Sequence, residues 1–498
     1  MSELFEQLKP HLDKINAYSS ALTLFSWDSE TCAPKDSSDY TSRVVGELSS
    51  EQFKANTDPL LKELLMKLKE DDSLSVNEKA IVRELWKTLE EMEKIPSDEY
   101  REYAELQAVA AQIWQKAKRE DDYASFSPTL EKIISYNKKF AGYKAKDGQK
   151  LYDVLLDEYE EGFSVELLDE FFSQLKEEIV PLLKKVVEKN SGIDDSFLHQ
   201  NYDVNKQKEF NRFLAEYIGF DFDRGVMAES EHPFTTNLHN HDVRITTHYY
   251  ENMPESAIFS TIHEGGHALY EFGVADELTQ TPVGIGASMG MHESQSRFME
   301  NVIGRSEAFW EPIYEKLVSF FPKQLKEVPL EEFVKAINKV QPDLIRTEAD
   351  ELTYSLHILI RYEMEKQIME EDIDLSELPK LWADKYEEYL GVRPENDAEG
   401  VLQDVHWAQG MFGYFPSYAL GNAFAAQIYE HMKKKLDVDA VLRSGDISPI
   451  VKYLGENIHH YGMVKKSREL LKDTTGEDFT AKYYIQYLKD KFTRIYDL

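Results

Sequence analysis

Ile258-Phe259-Ser260-Thr261-Ile262-His263-Glu264-Gly265-Gly266-His267-Ala268-Leu269-Tyr270 is the stretch on which the reading of this chain turns. Its apolar residues recur at helical spacing, and within it His263, Glu264 and His267 form a His-Glu-x-x-His pattern. On a helix the two histidines stand one turn apart on one face, so both imidazoles can reach one ion. Neutral imidazole is a good zinc ligand, and Glu264 lies within reach of the fourth, water-filled position. Gly265 and Gly266 are costly inside a helix, roughly 1 kcal/mol each relative to Ala. Either a bound ligand or a neighbouring backbone at a tight helix crossing accounts for them.

Just upstream the texture is different. Phe234 to His239 and Val243 to Tyr250 are β-branched and aromatic, and Asn240-His241-Asp242 between them is a turn signal. A small antiparallel ribbon is expected there. Two roles are open to it: an edge strand that pairs with an extended peptide, or simple packing against helices. From Ser256 onward helical patterns resume and run to the end. The first two hundred residues read the same way, as at Leu60–Met66, Ile81–Trp86 and Leu167–Val187, where apolar residues recur every three or four positions. No fixed-period repeat and no Gly/Ser/Pro-rich linker breaks the chain. The expectation is a mainly α protein, 1–498 forming one catalytic body.

A catalytic zinc takes three protein ligands and keeps one position open. No third histidine stands at short spacing. Glu293, in Met291-His292-Glu293-Ser294-Gln295-Ser296-Arg297, is a candidate, but spacing alone leaves Glu271, Glu277 and Glu300 level with it, and Glu293 has Arg297 one turn on as an alternative partner.

The 498 residues carry 57 Lys plus Arg against 92 Asp plus Glu, a formal charge of −35. Such a field repels phosphate backbones and anionic membranes, so neither nucleic acid nor a membrane surface is an expected partner. Cys32 is the sole cysteine, which excludes an internal disulfide and fits a reducing compartment. With no apolar signal core at the start and no stretch of about 18 apolar residues, a cytoplasmic protein is expected.

Several separate stretches resemble the carboxypeptidase Taq family of metallopeptidases. Asp242-Val243-Arg244-Ile245-Thr246 fits its DxRxT element, His263 to His267 its HExxH, and His292-Glu293-Ser294-Gln295 its HESQ. Ile345 to Tyr354 fits its TEADELTY-containing stretch, and Gly400-Val401-Leu402-Gln403-Asp404-Val405-His406-Trp407 its GxxQDxHW. They stand in the family's order. The resemblance implies Glu293 as third ligand beside His263 and His267, with one zinc ion per chain and cobalt as an alternative. It also implies a helical body with a deep active-site groove, similar to angiotensin-converting enzyme and neurolysin. Residues 1–230 or so would form one wall of it, and 231–420 would carry the active site. Homodimers and broad C-terminal specificity with proline disfavoured are implied as well.

The expected chemistry is metal-assisted hydrolysis of the C-terminal bond of peptides with a free C-terminus, releasing single residues, with Glu264 as general base. The order of His406 and Tyr418 resembles a segment of angiotensin-converting enzyme and makes them candidates for oxyanion donors. The peptide carboxylate calls for a guanidinium fork. Arg346 is the first candidate and Arg244 the second, with Asp242 or Glu348 as its alternative partners; Tyr414 is grouped with them as substrate-binding. Glu348, Asp350 and Glu351 are candidates for orienting the zinc histidines. Competing functions are a zinc oligoendopeptidase or peptidyl-dipeptidase, and a non-catalytic helical binding protein.

Overall fold

The structure is a computed structural model that describes residues 3–189, 192–371 and 373–498. Helix accounts for 67% and strand for 3% of it, which makes the protein mainly α. The chain forms two compact units interleaved in sequence. One takes Met1–Glu90, Asp194–Ile337 and Ile428–Asp478; the other takes Glu91–Ile193, Asn338–Gln427 and Phe479–Leu498.

In the first unit the predicted ribbon is present and gains a third strand. β1 (Gly225–Glu229), β2 (Thr235–His239) and β3 (Asp242–Thr247) lie in the order β1-β3-β2. β2 and β3 pair antiparallel, Thr235 against Ile245, whereas β1 runs parallel to β3, Gly225 against Val243. β1 has no clean alternation of apolar and polar residues, so period two could not announce it. β3 is central because Val243 and Ile245 both bury fully on one face. They pack with Ala215 of the helix Val204–Tyr217 and with Ala268 and Phe272 of the motif helix.

The motif helix is Pro254–Gly273. Pro254 starts it where a backbone N–H has no partner to lose, and Glu255 in the first turn suits the positive end of the helix dipole. The next long element, Met289–Arg297, is capped by Ser288, whose hydroxyl accepts from the Met291 N–H at 3.0 Å. It widens into π geometry over Phe298–Gly304. The two glycines are explained by packing. A Cβ on Gly266 would stand 2.6 Å from the Gln295 carbonyl oxygen, and one on Gly265 would strike Cδ1 of Ile218. The tight crossing is the reason for Gly266.

The second unit is built around the helix Glu351–Glu370, buried on almost every side by helices that include Val165–Lys189, Leu151–Tyr159 and Leu378–Leu390. His357, Arg361 and Glu365 form a fully buried stripe along it at i, i+4 and i+8. Among the described residues no helix is long and apolar enough to cross a membrane.

Candidate metal centre

The motif helix and the helix that follows it bring three ligand atoms together. Nε2 of His263 and Nε2 of His267 stand 3.7 and 3.5 Å from Oε2 of Glu293, and all three atoms lie within 4.8 Å of one another. Bonds of about 2.0–2.2 Å at a tetrahedral angle put ligand atoms roughly 3.3–3.6 Å apart, so the spacing suits a small ion. Two imidazoles and one carboxylate favour a first-row transition dication over the all-oxygen shells of calcium or magnesium. The alternatives for third ligand sort themselves by position: Glu277 is exposed, while Glu271 and Glu300 are buried and bond elsewhere.

Glu293 keeps the Arg297 partner that its spacing suggested and still has an oxygen to offer an ion. Arg297 Nε donates to Oε1 at 2.7 Å, and Oε2, which also accepts from Ser296 Oγ at 3.1 Å, faces the histidines. Burial works against its charge, but Arg297 and the two histidines hold its carboxyl well below the usual carboxylate range.

Both histidines are held from behind. His263 Nδ1 lies 2.8 Å from Oε2 of Glu300, which the π segment carries and which Arg297 Nη1 and Arg305 Nη2 neutralise at 3.2 and 3.0 Å. Burial opposes a charge on His263, yet Glu293 and Glu300 raise its pKa above the ordinary value. His267 Nδ1 lies 2.6 Å from His292 Nδ1. Burial pushes His267 down to about 3, so it is a neutral imidazole. With both Nδ1 atoms engaged, the two Nε2 atoms face the Glu293 oxygen.

Glu264 is buried beside the ligands, and Thr235 Oγ1 of β2 donates to its Oε2 at 2.6 Å. Burial raises its pKa, with His263 and Thr235 pulling the other way. Two residues along β2, on the same face, Asn237 Nδ2 donates to Glu271 Oε2 at 2.5 Å. The ribbon thus braces two carboxylates of the motif helix.

The remaining candidates lie in the second unit, apart from Arg244. Arg346 is buried, and its Nε and Nη2 donate to Asp404 Oδ1 at 3.1 and 2.9 Å while Nη1 donates to the Tyr354 hydroxyl at 3.3 Å. Arg361 donates to the other oxygen of Asp404 from Nε at 2.7 Å, and to Gln403 Oε1 from Nη2 at 2.7 Å. Two guanidiniums share one carboxylate, which despite burial is held well below its ordinary pKa. His406 Nε2 lies 3.5 Å from the Tyr418 hydroxyl, and its ring packs on Phe415 and Tyr414. Burial lowers His406 to about 4; Asp404 opposes the fall, and Arg346 and Arg361 add to it. Tyr414 also meets Tyr418 edge-on at 5.1 Å.

Arg244 forms a two-pronged bond with Asp242, 2.8 and 2.9 Å, the alternative partner expected for it. Asp350 is spent as the N-cap of its helix, Glu351 bonds Lys491, and Glu348 is exposed. The backing of His263 and His267 comes instead from Glu300 and His292.

Two further residues went unnoticed in the sequence, Arg361 and Glu365. Glu365 accepts from Trp407 Nε1 at 2.9 Å, the Gly413 N–H at 2.8 Å and the Tyr152 hydroxyl at 2.8 Å, pinning the segment that follows His406. The signal available was a histidine, an arginine and a glutamate at four-residue spacing, which places them on one face of a helix.

A helical body with a His-His-Glu centre beside a buried glutamate defines a metallopeptidase architecture. Residues 7–492 match the carboxypeptidase Taq (M32) metallopeptidase family, and the chain belongs to it. It is 46% identical to carboxypeptidase 1 of Bacillus subtilis (strain 168), over 99% of this chain and 98% of that protein. It is 37% identical to thermostable carboxypeptidase 1 of Pyrococcus furiosus, over 99% of each. The crystal structure of the M32 carboxypeptidase from Deinococcus radiodurans R1, 33% identical, superposes with a TM-score of 0.97 over all of both chains. The activity is therefore that of a metallocarboxypeptidase acting on peptides.

Proposed function

We propose that this enzyme is a zinc carboxypeptidase of broad specificity that removes single residues from peptides with a free C-terminus, with Glu264 as its general base. The observation that carries this is the convergence of two imidazole Nε2 atoms and Glu293 Oε2, with the buried Glu264 alongside.

When bound, the ion supplies Lewis acidity, polarising the scissile carbonyl and lowering the pKa of the attacking water towards about 7. Glu264 takes the proton of that water and later delivers it to the leaving amine. Thr235 engages Oε2, so Oε1 carries the proton. The raised pKa of Glu264 suits a group that must both accept and return it.

His406 and Tyr418 donate to the developing oxyanion. Supporting this, a pKa of about 4 leaves His406 neutral in working conditions, and the tyrosine hydroxyl is its neighbour. Arg346 receives the terminal carboxylate, supported by the excess of guanidinium over carboxylate around Asp404. Tyr414 packs beside His406 and Tyr418 and contacts the substrate with them. Arg244, committed to Asp242, shapes the ribbon, and the edge position of β2 supports main-chain pairing with an extended peptide. Recognition through main-chain N–H groups accounts for breadth and for a bias against proline, which has none. The resemblance to the family supports a homodimer, and the exposed lone Cys32 fits a cytoplasmic, reducing setting.

The test is amino-acid release from an N-blocked dipeptide and from its C-terminal amide, with zinc, with cobalt and with chelator. Release from the free acid alone, abolished by chelator, is the expected result. Equal cleavage of the amide would replace this reading with an endopeptidase.

A further inference from the structure

His292 belongs to no step of the hydrolysis, yet its ring is closely packed. A Cβ on Gly286 would come within 2.6 Å of its Cδ2, and the Tyr270 ring lies 5.2 Å away, centroid to centroid. Its two nitrogens are both engaged. Nδ1 lies 2.6 Å from His267 Nδ1, and Nε2 lies 2.6 Å from Oε1 of Glu271. Glu271 is itself fixed: the Gly286 N–H donates to the same Oε1 at 3.2 Å, and Asn237 Nδ2 donates to Oε2. Nothing in this chain of contacts touches the ion position directly except His267.

The proton positions follow by elimination. To ligate through Nε2, His267 must present a bare lone pair there, so its proton sits on Nδ1. That N–H can only be donated to His292 Nδ1, which must then be the acceptor. The remaining proton of His292 is on Nε2, pointing at the Glu271 carboxylate. One tautomer of each ring satisfies all contacts at once. The opposite pair would aim an N–H at the ion and leave two lone pairs facing each other at His292 and Glu271.

Resting on the metal-centre reading above, we propose that His292 and Glu271 are positioning residues of that centre, locking His267 in its ligating tautomer through an imidazole–carboxylate relay. His263 obtains the same service from Glu300 in a single contact. The relay sets Glu271 one ring further out, so the ligand N–H is satisfied without a second carboxylate in contact with a ligand histidine. Groups that orient a ligand histidine in this way are typically worth 10–100-fold in metal affinity.

The test measures zinc and cobalt affinity by chelator competition, and the visible spectrum of the cobalt form, on H292L, H292Q and E271Q. Glutamine can accept from His267 with its oxygen and donate to Glu271 with its amide nitrogen, so it mimics both ends of the relay; leucine mimics neither. H292L is expected to bind roughly 10–100-fold more weakly with an altered cobalt spectrum, E271Q to fall between, and H292Q to recover most of the loss. Apo-protein melting temperatures accompany the series, so that a folding defect in H292L is seen directly and H292Q carries the comparison. Wild-type affinity and spectrum in a folded H292L would overturn the proposal, as would an H292Q as weak as H292L. H263A and H267A serve as controls: tight binding retained in both would contradict the metal centre itself, a different failure from loss of the relay.

Discussion

Gly266 lies against the backbone at Gln295, so close that a Cβ on it would stand 2.6 Å from that carbonyl oxygen and 2.7 Å from Cα of Ser296. This contact brings the helix of His263 and His267 within ligand reach of the helix of Glu293. Backbone cannot retract as a side chain can. G266A is therefore expected to destabilise by about 1–3 kcal/mol and to weaken metal binding. G265A meets only the terminal methyl of Ile218, and about 1 kcal/mol of regained helix propensity offsets the clash. Denaturant unfolding and chelator competition on the two variants check the contrast; equal effects would argue against the crossing as the organising contact.

Glu300 stands behind His263 and between two arginines. E300Q keeps the shape and removes the charge. Metal affinity is expected to fall about 10–100-fold, whereas E293Q, which removes a ligand, loses more. Competition titrations of both variants against one chelator give the order directly.

The sequence made the helical class, the ribbon and the two motif histidines legible for a physical reason: each is a local signal. β-branched and aromatic residues on either side of a turn signal marked β2 and β3, and a four-residue interval marked His263 and His267. A third ligand was not legible from spacing, because Glu271, Glu277, Glu293 and Glu300 are all within range along the chain. Which of them faces the two histidines is a matter of tertiary packing, and only resemblance to a family singled out Glu293. β1 was missed because its parallel pairing with β3 is non-local and its pattern does not alternate. The Arg361–Asp404–Arg346 cluster joins three segments distant in sequence, so no window could contain it.

Among the described residues, Asp404 is the one carboxylate bonded to both Arg346 and Arg361. D404N would leave two buried guanidiniums without it and is expected to cost about 3–5 kcal/mol, read as a lowered denaturant midpoint. R346K, which keeps charge but loses the fork, is expected to raise KM for free-acid substrates with a smaller effect on stability. A D404N variant as stable as wild type would show that the cluster is hydrated rather than buried.

Glu365 gives a pH signature in stability. Burial pushes its carboxyl from 4.5 up to about 7, against three hydrogen-bond donors and Arg361. A carboxyl with a raised folded pKa contributes stability that is fully present below about 4.5 and is lost as pH rises through about 7. Between those limits wild type should lose about 3 kcal/mol relative to E365Q, because each tenfold change in proton affinity is worth about 1.4 kcal/mol. Unfolding free energies of both proteins at the two ends of that range measure it, and parallel pH profiles would contradict it.

The proposed mechanism gives Glu264 a part in the chemistry and none in holding the metal, and E264Q separates the two roles more cleanly than any other substitution. The measurement is kcat on an N-blocked dipeptide together with zinc affinity, on the same metal-loaded sample. Zinc binding is expected to stay within a few-fold of wild type while kcat falls by about 10²–10⁴, the usual worth of a positioned general base. A variant that binds zinc and hydrolyses at the wild-type rate would remove Glu264 from the mechanism.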